Sequence, residues 1–283
     1  MKIGLNTYSF RKELKKDQDF TLKNVWKIAE EIGEIEGIEL LDRHIPGWPD
    51  GDLNKGVADV KEQVESFGWK LYALGPHVKM YKSNTTDRKK EIEKYKKWID
   101  LCADNEIPQF RSQVGGNMSF FERNHPIKGV EIVSQLLDEV LPYANKRNIK
   151  VGIETHWQYS SNPKFLKMVT ERYNDEFQDN LGIIFDWGNY ITNKSRYKAL
   201  KIAAKPQNHC HNHVKFFKFN ENFQQTGKIG FRFGYSSQKI VKTFKDNNFK
   251  DYFSIEYEGR LSTTEGVYKS VYGLKYAIDD DIF

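Results

Sequence analysis

Eight short apolar segments alternate with amphipathic segments along the chain, and this alternation is the strongest constraint on its fold. The apolar segments predict β-strands at 3–10, 37–42, 70–78, 108–114, 150–157, 181–187, 208–217 and 252–259. The segments between and after them have apolar residues every three or four positions, which predicts helices at 20–33, 57–68, 88–105, 129–148, 163–177, 195–204, 237–248 and 267–278. Strict alternation of strands and helices requires a parallel sheet, so we predict an α/β fold.

The number and size of these units indicate how the sheet closes. Eight units in 283 residues give about 35 residues each, which is typical of a closed (β/α)8 barrel. An open doubly wound sheet is the competing fold, but the glycine-rich fingerprint with which it binds nucleotides is absent from the sequence. No Pro- or Ser-rich linker divides the chain. We therefore predict a single (β/α)8 TIM barrel, with eight parallel strands and outer helices, forming one domain over residues 1–283.

Composition excludes several classes of function. The net charge is only +5, from 44 basic and 39 acidic residues, and the basic clusters are interleaved with acids at helical spacing, so no nucleic acid partner is expected. The two cysteines, Cys102 and Cys210, form no disulfide framework. The sequence has no signal peptide and no run of about 18 apolar residues, so we expect a cytoplasmic protein without a membrane partner.

Carboxylates stand near the ends of three of the last four predicted strands. Glu154 lies in GIETHW, Asp186 in IIFDWGNY and Glu256 in FSIEYEGR. Active sites of such barrels lie at the C-terminal ends of the strands, so these side chains should lie close together. A single carboxylate there is more often a helix cap or a loop hydrogen-bond acceptor. Several buried carboxylates would repel one another unless a cation held them.

The remaining one of these four strands carries histidines in the stretch NHCHNHVKFFKF. His209, His211 and His213 are two residues apart, so on an extended strand they would line one surface. They span about 13 Å, too far for one ion to bind all three. The stretch alone leaves open a metal site, a catalytic surface or a solvated polar run.

Four motifs on successive strands resemble those of a known family. IETH, FDWGN, HVK and SIEYEG are similar to strand ends of the xylose isomerase-like TIM barrels, the superfamily of sugar phosphate isomerases and epimerases that also includes endonuclease IV. The resemblance implies one divalent metal held by Glu154, Asp186, His213 and Glu256. His213 is chosen because it stands two residues before Lys215, and Glu256 because it opens the Glu-Tyr step. His209 is then expected to be structural, and His211 either a packed imidazole or a substrate contact.

Three positions depart from the family pattern. Asn189 stands where the family's D-x-x-H motif has a histidine, as it does in some members but not in the epimerases with known sugar substrates, and Phe216 stands where an aspartate often follows the H-x-K motif. The glycine loop before the eighth helix appears as GKIG at 227–230. The first two changes remove groups that could hold a second metal or contact a substrate, but they leave the four-residue set intact.

The resemblance also implies a chemistry. A set of oxygen ligands with one imidazole favours Mn²⁺ or Mg²⁺, although Zn²⁺ or Co²⁺ would fit. Glu154 and Glu256 would be the catalytic base and acid of an isomerase or epimerase that acts on a sugar or keto-sugar derivative through an enediolate. The candidate substrate-binding residues are His156, Lys215, Arg111 and Trp187. His156 could equally hold a ligand carboxylate, Arg111 could form an ion pair within the barrel, and Trp187 could pack in the core.

Other functions remain open at this point. The same site could serve a lyase that dehydrates a keto-inositol or cleaves a 3-keto-glycoside. A DNA-repair endonuclease is less favoured, because the region after the seventh strand, FKFNENFQQTGK, lacks the Asp-x-His pair expected of one. A non-catalytic binding barrel is a further alternative. The expected partner is a small-molecule carbohydrate, and the sequence leaves a homo-oligomer open.

Overall fold

The protein forms a nearly closed barrel of eight parallel strands surrounded by helices, as predicted. The computed structural model describes residues 1–219 and 234–279. The strands are β1 (Lys2–Asn6), β2 (Gly37–Leu41), β3 (Lys70–Gly75), β4 (Gln109–Gln113), β5 (Lys150–Glu154), β6 (Leu181–Ile184), β7 (Asn212–Val214) and β8 (Tyr252–Ile255). Their order is β6-β5-β4-β3-β2-β1-β8-β7. Two isolated bridges, Ile183 to His209 and Asp186 to His213, connect the chain segments around β6 and β7.

Helices follow the strands within the described part of the chain. They are α1 (Glu13–Lys16), α2 (Leu22–Ile32), α3 (Leu53–Ser66), α4 (Thr85–Asp104), α5 (Ile127–Lys146), α6 (Pro163–Phe177), α7 (Asn193–Ala203), α8 (Ser237–Lys245) and α9 (Thr263–Ile278). Most begin where a polar side chain accepts a hydrogen bond from an N–H group of the first turn. The capping residues with such a bond are Asp52, Asn84, Asn162, Thr192, Ser236 and Ser262.

The strands are shorter than predicted, and the difference affects the site. The first predicted strand, 3–10, ends at Asn6 and continues as a 3-10 helix from Thr7 to Phe10. At the C-terminal ends of the strands, side chains begin to take over backbone hydrogen bonds; for example, the Asp186 N–H donates to Thr155 Oγ1 at 2.9 Å. The inside–outside alternation of a strand therefore stops there, and residues beyond the ends are oriented by local turns.

The N-terminal end of the barrel interior is closed by two stacked rings. Tyr72 and Tyr252 lie with their ring centroids 3.9 Å apart, and Tyr72 donates a hydrogen bond to Ser254 Oγ at 2.6 Å. Gly4 and Gly37 face these rings, and a Cβ atom at either position would overlap the Tyr72 side chain. This end is thus filled by side chains, and the interior is accessible from the C-terminal ends of the strands.

No helix in the described ranges is long and apolar enough to cross a membrane. That residues 1–283 form one domain stays a prediction.

Candidate metal centre and active site

The four residues predicted to hold a metal ion lie together at the C-terminal end of the barrel. Glu154 ends β5, Asp186 and Glu256 closely follow β6 and β8, and His213 is the middle residue of β7. All four side chains are buried. One potential ligand atom from each lies within 4.8 Å of the others. The barrel thus brings together residues that are far apart in the sequence, because neighbouring parallel strands end at the same edge.

The imidazole of His213 is the point on which the three carboxylates converge. Its Nδ1 atom lies 2.9 Å from Glu256 Oε2, 3.3 Å from Glu154 Oε1 and 3.9 Å from Asp186 Oδ2. Three carboxylate oxygens beside one imidazole nitrogen form a donor set suited to a hard or borderline divalent cation.

A tight turn after β6 orients Asp186. Its Oδ1 atom accepts hydrogen bonds from the N–H groups of Gly188 and Asn189, at 2.8 and 3.1 Å. Its Oδ2 atom is buried and accepts no hydrogen bond of acceptable geometry from the described residues, although Lys215 Nζ lies 3.0 Å away. A buried carboxylate oxygen without a hydrogen bond is costly. Because Lys215 lies beside this oxygen without a well-aligned hydrogen bond, the oxygen fits a position that also faces a metal ion.

Two buried cations hold the outer oxygens of the two glutamates. Arg111 Nη1 donates to Glu154 Oε2 at 2.9 Å, and Lys215 Nζ lies 2.9 Å from Glu256 Oε1. Each glutamate consequently has one oxygen fixed by a cation and the other directed at His213. Of the two roles that the sequence left open for Arg111, substrate binding or an ion pair within the barrel, the structure shows the ion pair.

Glu39 completes the centre, and the sequence analysis missed it. This fully buried residue of β2 lies 3.0 Å from His213 Nε2 and accepts a hydrogen bond from Ser254 Oγ at 2.9 Å. A proton on Nε2 that is donated to Glu39 leaves the lone pair of Nδ1 for a metal, as in other carboxylate–histidine–metal arrangements. The signal in the sequence was a charged residue inside the apolar strand GIELL, since a buried carboxylate requires partners.

His211 forms a second group with Glu39 and His213, but this group fits a metal less well. His211 Nε2 lies 3.4 Å from Glu39 Oε2 without a hydrogen bond of acceptable geometry, and its ring packs edge-on against Tyr72. An ion there would need the Nε2 atom of His213, which the hydrogen bond to Glu39 occupies. The group has no exposed surface. His211 therefore lies as a packed imidazole below the four-residue centre.

The charges of the centre depend on one another. Burial raises the pKa of Asp186 to about 7, although Lys215 opposes the change. Burial would also raise the pKa of Glu256, but Lys215 and His213 outweigh it and hold the pKa at about 2. Burial would lower the pKa of His213, but Glu39 and Glu256 raise it well above its usual value. Since Asp186 ionises with difficulty beside the other carboxylates, an additional positive charge would stabilise the site.

A cavity of about 480 Å³ gives access to this centre. Its lining includes the two glutamates, Arg111, Lys215 and His156. His156 lies in the loop after β5, where its backbone N–H donates to Ser160 Oγ at 2.8 Å. Burial lowers the pKa of the His156 imidazole. Three of the four predicted substrate-binding residues are thus in reach of a molecule in the cavity.

The fourth, Trp187, does not line this cavity. Its side chain is fully buried and packs against Phe216, Tyr235 and Phe253 at centroid distances of 6.2, 6.1 and 5.6 Å. The turn that begins at Asp186 directs the indole into the packed layer, which is the alternative left open for it.

The prediction that three histidines line one surface is wrong for His209. A short 3-10 helix, Pro206–Asn208, precedes it, and β7 begins only at Asn212. The His209 ring lies 2.9 Å from the Ala204 carbonyl through Nε2 and packs against Phe249 at 5.2 Å. His209 is thus structural, as expected, although it packs away from the surface that His211 and His213 share.

The departures from the family pattern fall in different places. Asn189 is buried beside the turn of Asp186, and Phe216 packs in the core. The GKIG loop at 227–230 and most of the stretch 217–228 lie outside the described residues.

Three known proteins illustrate what the chain resembles in sequence or structure. A 3'-dehydrocarminate deglycosidase alpha subunit from Microbacterium sp is 24% identical over 197 residues, which is 68% of this chain and 51% of that protein. The chain thus spans about half the length of this curated relative. A D-tagatose 3-epimerase-like protein superposes with a TM-score of 0.70, at 14% identity, over 100% of both chains. The IolI protein with a bound zinc atom superposes with a TM-score of 0.64, at 17% identity, over 99% of this chain and 97% of the other.

The profile of one family covers most of the sequence. It matches residues 26–275, a span that includes β2 to β8 and all four residues of the centre. The superposed structures have the same barrel fold as the family that this profile describes. The chain therefore belongs to the xylose isomerase-like TIM barrel family.

Proposed function

We propose that this protein binds one divalent metal ion at Glu154, Asp186, His213 and Glu256 and isomerises or epimerises a sugar or keto-sugar derivative. The observation that carries the proposal is the arrangement of the two glutamates. Each has one oxygen held by a buried cation and the other facing His213 Nδ1, and both line the same cavity.

The oxygen-rich set favours Mn²⁺ or Mg²⁺ over Zn²⁺ or Co²⁺. When bound, such an ion would polarise a carbonyl and an adjacent hydroxyl of the substrate, which acidifies the C–H between them. The Oδ2 atom of Asp186, which lies beside Lys215 but accepts no well-aligned hydrogen bond from the described residues, and the Nδ1 atom of His213 are the atoms of this chain best prepared for it.

The protein's own groups would move the proton. Burial would raise the pKa of Glu154, but Arg111 and His213 lower it well below its usual value, so this carboxylate is ionised and able to accept a proton. Glu256 is held in the same form by Lys215. One glutamate would remove the proton from carbon and the other would return it, while the cations keep both in place. His156, which lines the same cavity, would hydrogen-bond a substrate hydroxyl.

A lyase is the second candidate, and one relative favours it. The Microbacterium protein is named for the removal of a sugar from 3'-dehydrocarminate, a glycoside that carries a ketone at its 3' position. Abstraction of a proton beside a ketone is common to both reactions. In the lyase, the intermediate would expel a leaving group where the isomerase returns a proton.

The function is tested by turnover and hydrogen exchange in deuterated water. Ketohexoses, keto-inositols and 3-keto-glycosides would be incubated with the wild type, Glu154→Gln and Glu256→Gln at saturating Mn²⁺. We expect each substitution to lower turnover by about 10²–10⁴-fold, because Gln cannot accept a proton. One variant should retain exchange of the substrate C–H.

Glu62→Gln, the same change on the exposed surface of α3, is the control and should match the wild type. Exchange without loss of a group supports the isomerase, and a dehydrated or cleaved product supports the lyase. Near-wild-type turnover in both glutamate variants would contradict proton transfer by these residues.

The two buried histidines should differ in their effect on the metal. We expect His213→Ala to lower Mn²⁺ affinity by at least about tenfold, because it removes a ligand. His211→Ala should keep the ion, because its ring packs below the centre against Tyr72. Elemental analysis and electron paramagnetic resonance of both variants would measure this. If His211→Ala lost the ion and His213→Ala kept it, the ion would have to bind deeper in the barrel, beside Glu39 and His211.

Metal affinity should rise with pH. In the metal-free protein His213 is protonated, because its pKa is raised well above the usual value, and Asp186 has a pKa of about 7. A bound cation must displace both protons below pH 7, so affinity rises there by up to about 100-fold per pH unit; above pH 7 Asp186 is already ionised, and only the His213 proton is displaced, so the rise falls to at most about tenfold per unit until the pKa of His213 is reached. Calorimetric titration at pH 6, 7 and 8 in buffers of different ionisation enthalpy would measure affinity and proton release. Constant affinity without release would contradict the account.

A further inference from the structure

The mouth of the active-site cavity is lined by five cations that form no ion pair with any carboxylate in the described part of the chain. Four follow β1, namely Arg11, Lys12, Lys15 and Lys16, and the fifth, Arg43, follows β2. Within residues 1–219 and 234–279, none of these five forms an ion pair with a carboxylate. The cations at the floor are different, because Arg111 and Lys215 are paired with Glu154 and Glu256.

A chain of hydrogen bonds holds Arg43 in place. The buried carboxylate of Asp42 accepts a hydrogen bond from the backbone N–H of His77 at 2.8 Å and lies 3.1 Å from the ring Nδ1. With its proton on Nδ1, the imidazole presents Nε2 as an acceptor, and Arg43 Nη2 lies 2.6 Å from it. Only one edge of the guanidinium is used in this contact, so its other N–H groups remain for a ligand.

Arg11 is also held in place, but by an aromatic ring and two backbone carbonyl groups. Its guanidinium lies 4.2 Å from the centroid of the Tyr8 ring. Its Nη1 atom donates to the carbonyl oxygens of Tyr8 and Tyr257 at 3.2 and 3.3 Å. An aromatic face and two carbonyls orient the side chain but carry no negative charge to offset it. Two arginines are therefore fixed at the rim of one cavity, and neither forms a direct ion pair with a carboxylate of the described residues; the nearby Glu258, which also lines the cavity, lies 3.7 Å from Lys215.

From this arrangement we infer that the substrate carries an anionic group, a carboxylate or a phosphate, that Arg11 and Arg43 bind at the cavity mouth. Arginine binds both groups through paired N–H donors, and a guanidinium that is already oriented loses little entropy on binding. The three lysines of the rim add a field that attracts anions. The cavity of about 480 Å³ suits a small molecule whose anionic end lies at the rim and whose reacting carbon lies at the floor. The position of the reacting carbon at the floor rests on the proposed function.

The inference is tested by binding without turnover. Calorimetry with the Glu256→Gln variant would compare a neutral hexose, the corresponding hexuronate, the hexose 6-phosphate and inorganic phosphate. We expect the hexuronate, the hexose phosphate or both to bind about tenfold or more tightly than the neutral sugar, with inorganic phosphate competing. Preference between the two would tell a carboxylate substrate from a phosphorylated one.

Substitutions separate the two arginines from general electrostatics. Arg11→Ala/Arg43→Ala should lose this preference, and Arg11→Lys/Arg43→Lys should restore part of it. Lys201→Ala/Lys250→Ala removes the same charge from exposed positions outside the cavity lining and should keep the preference. Thermal melts would confirm that each variant is folded.

Equal binding of neutral and anionic sugars, or an equal loss in the lysine control, would overturn the inference. So would binding of a single-stranded DNA oligonucleotide at the arginines with no binding of either sugar anion. Because no turnover is measured, anion binding can be found even where proton exchange is absent, and exchange can be found with neutral sugars alone. Failure of the inference is thus distinguishable from failure of the proposed function.

Discussion

The whole centre depends on the contacts that the imidazole of His213 makes with the carboxylates around it. One of its nitrogens contacts Glu39 inside the barrel, and the other faces the carboxylates at the open end. Because the contact with Glu39 favours a proton on Nε2, Nδ1 is the nitrogen that would give up its proton to a metal. Because Ser254 donates to Glu39 and Tyr72 donates to Ser254, the ring is anchored to the closed end of the barrel. The site is thus supported by the core and not only by loops.

Charge balance decides what this site can hold. Three carboxylates lie around His213, but only two cations lie beside them: Arg111 pairs with Glu154, and Lys215 is shared by Glu256 and Asp186. Asp186 is the least satisfied, since burial raises its pKa to about 7 and its Oδ2 accepts no hydrogen bond from the described residues. Burying several charged groups close together costs free energy, because each loses its hydration and the carboxylates repel one another. A divalent cation would remove this cost and would leave the two glutamates in the ionised form that proton transfer requires.

The sequence predicted the barrel and the convergence of its strand ends for a simple physical reason. Parallel strands share one direction, so residues at their ends meet whatever their separation along the chain, and Glu154, Asp186 and Glu256 could be grouped before the structure was known. Glu39 could not be placed in this way, because it is the middle residue of β2 and not at its end, and it contacts His213 and Ser254 inside the barrel. The orientations of Trp187 and His209 also escaped prediction. Trp187 lies in the turn after β6, and His209 lies between a 3-10 helix and the start of β7. Neither side chain therefore follows the two-residue alternation of a strand.

The most direct test of this account is a crystal structure of the protein soaked in Mn²⁺, with anomalous diffraction used to locate the metal. The account predicts one strong peak at about 2.0–2.3 Å from His213 Nδ1 and from one oxygen each of Glu154, Asp186 and Glu256. It also predicts that Glu39 stays hydrogen-bonded to His213 Nε2. No peak at these four residues, or a peak between Glu39 and His211, would contradict it.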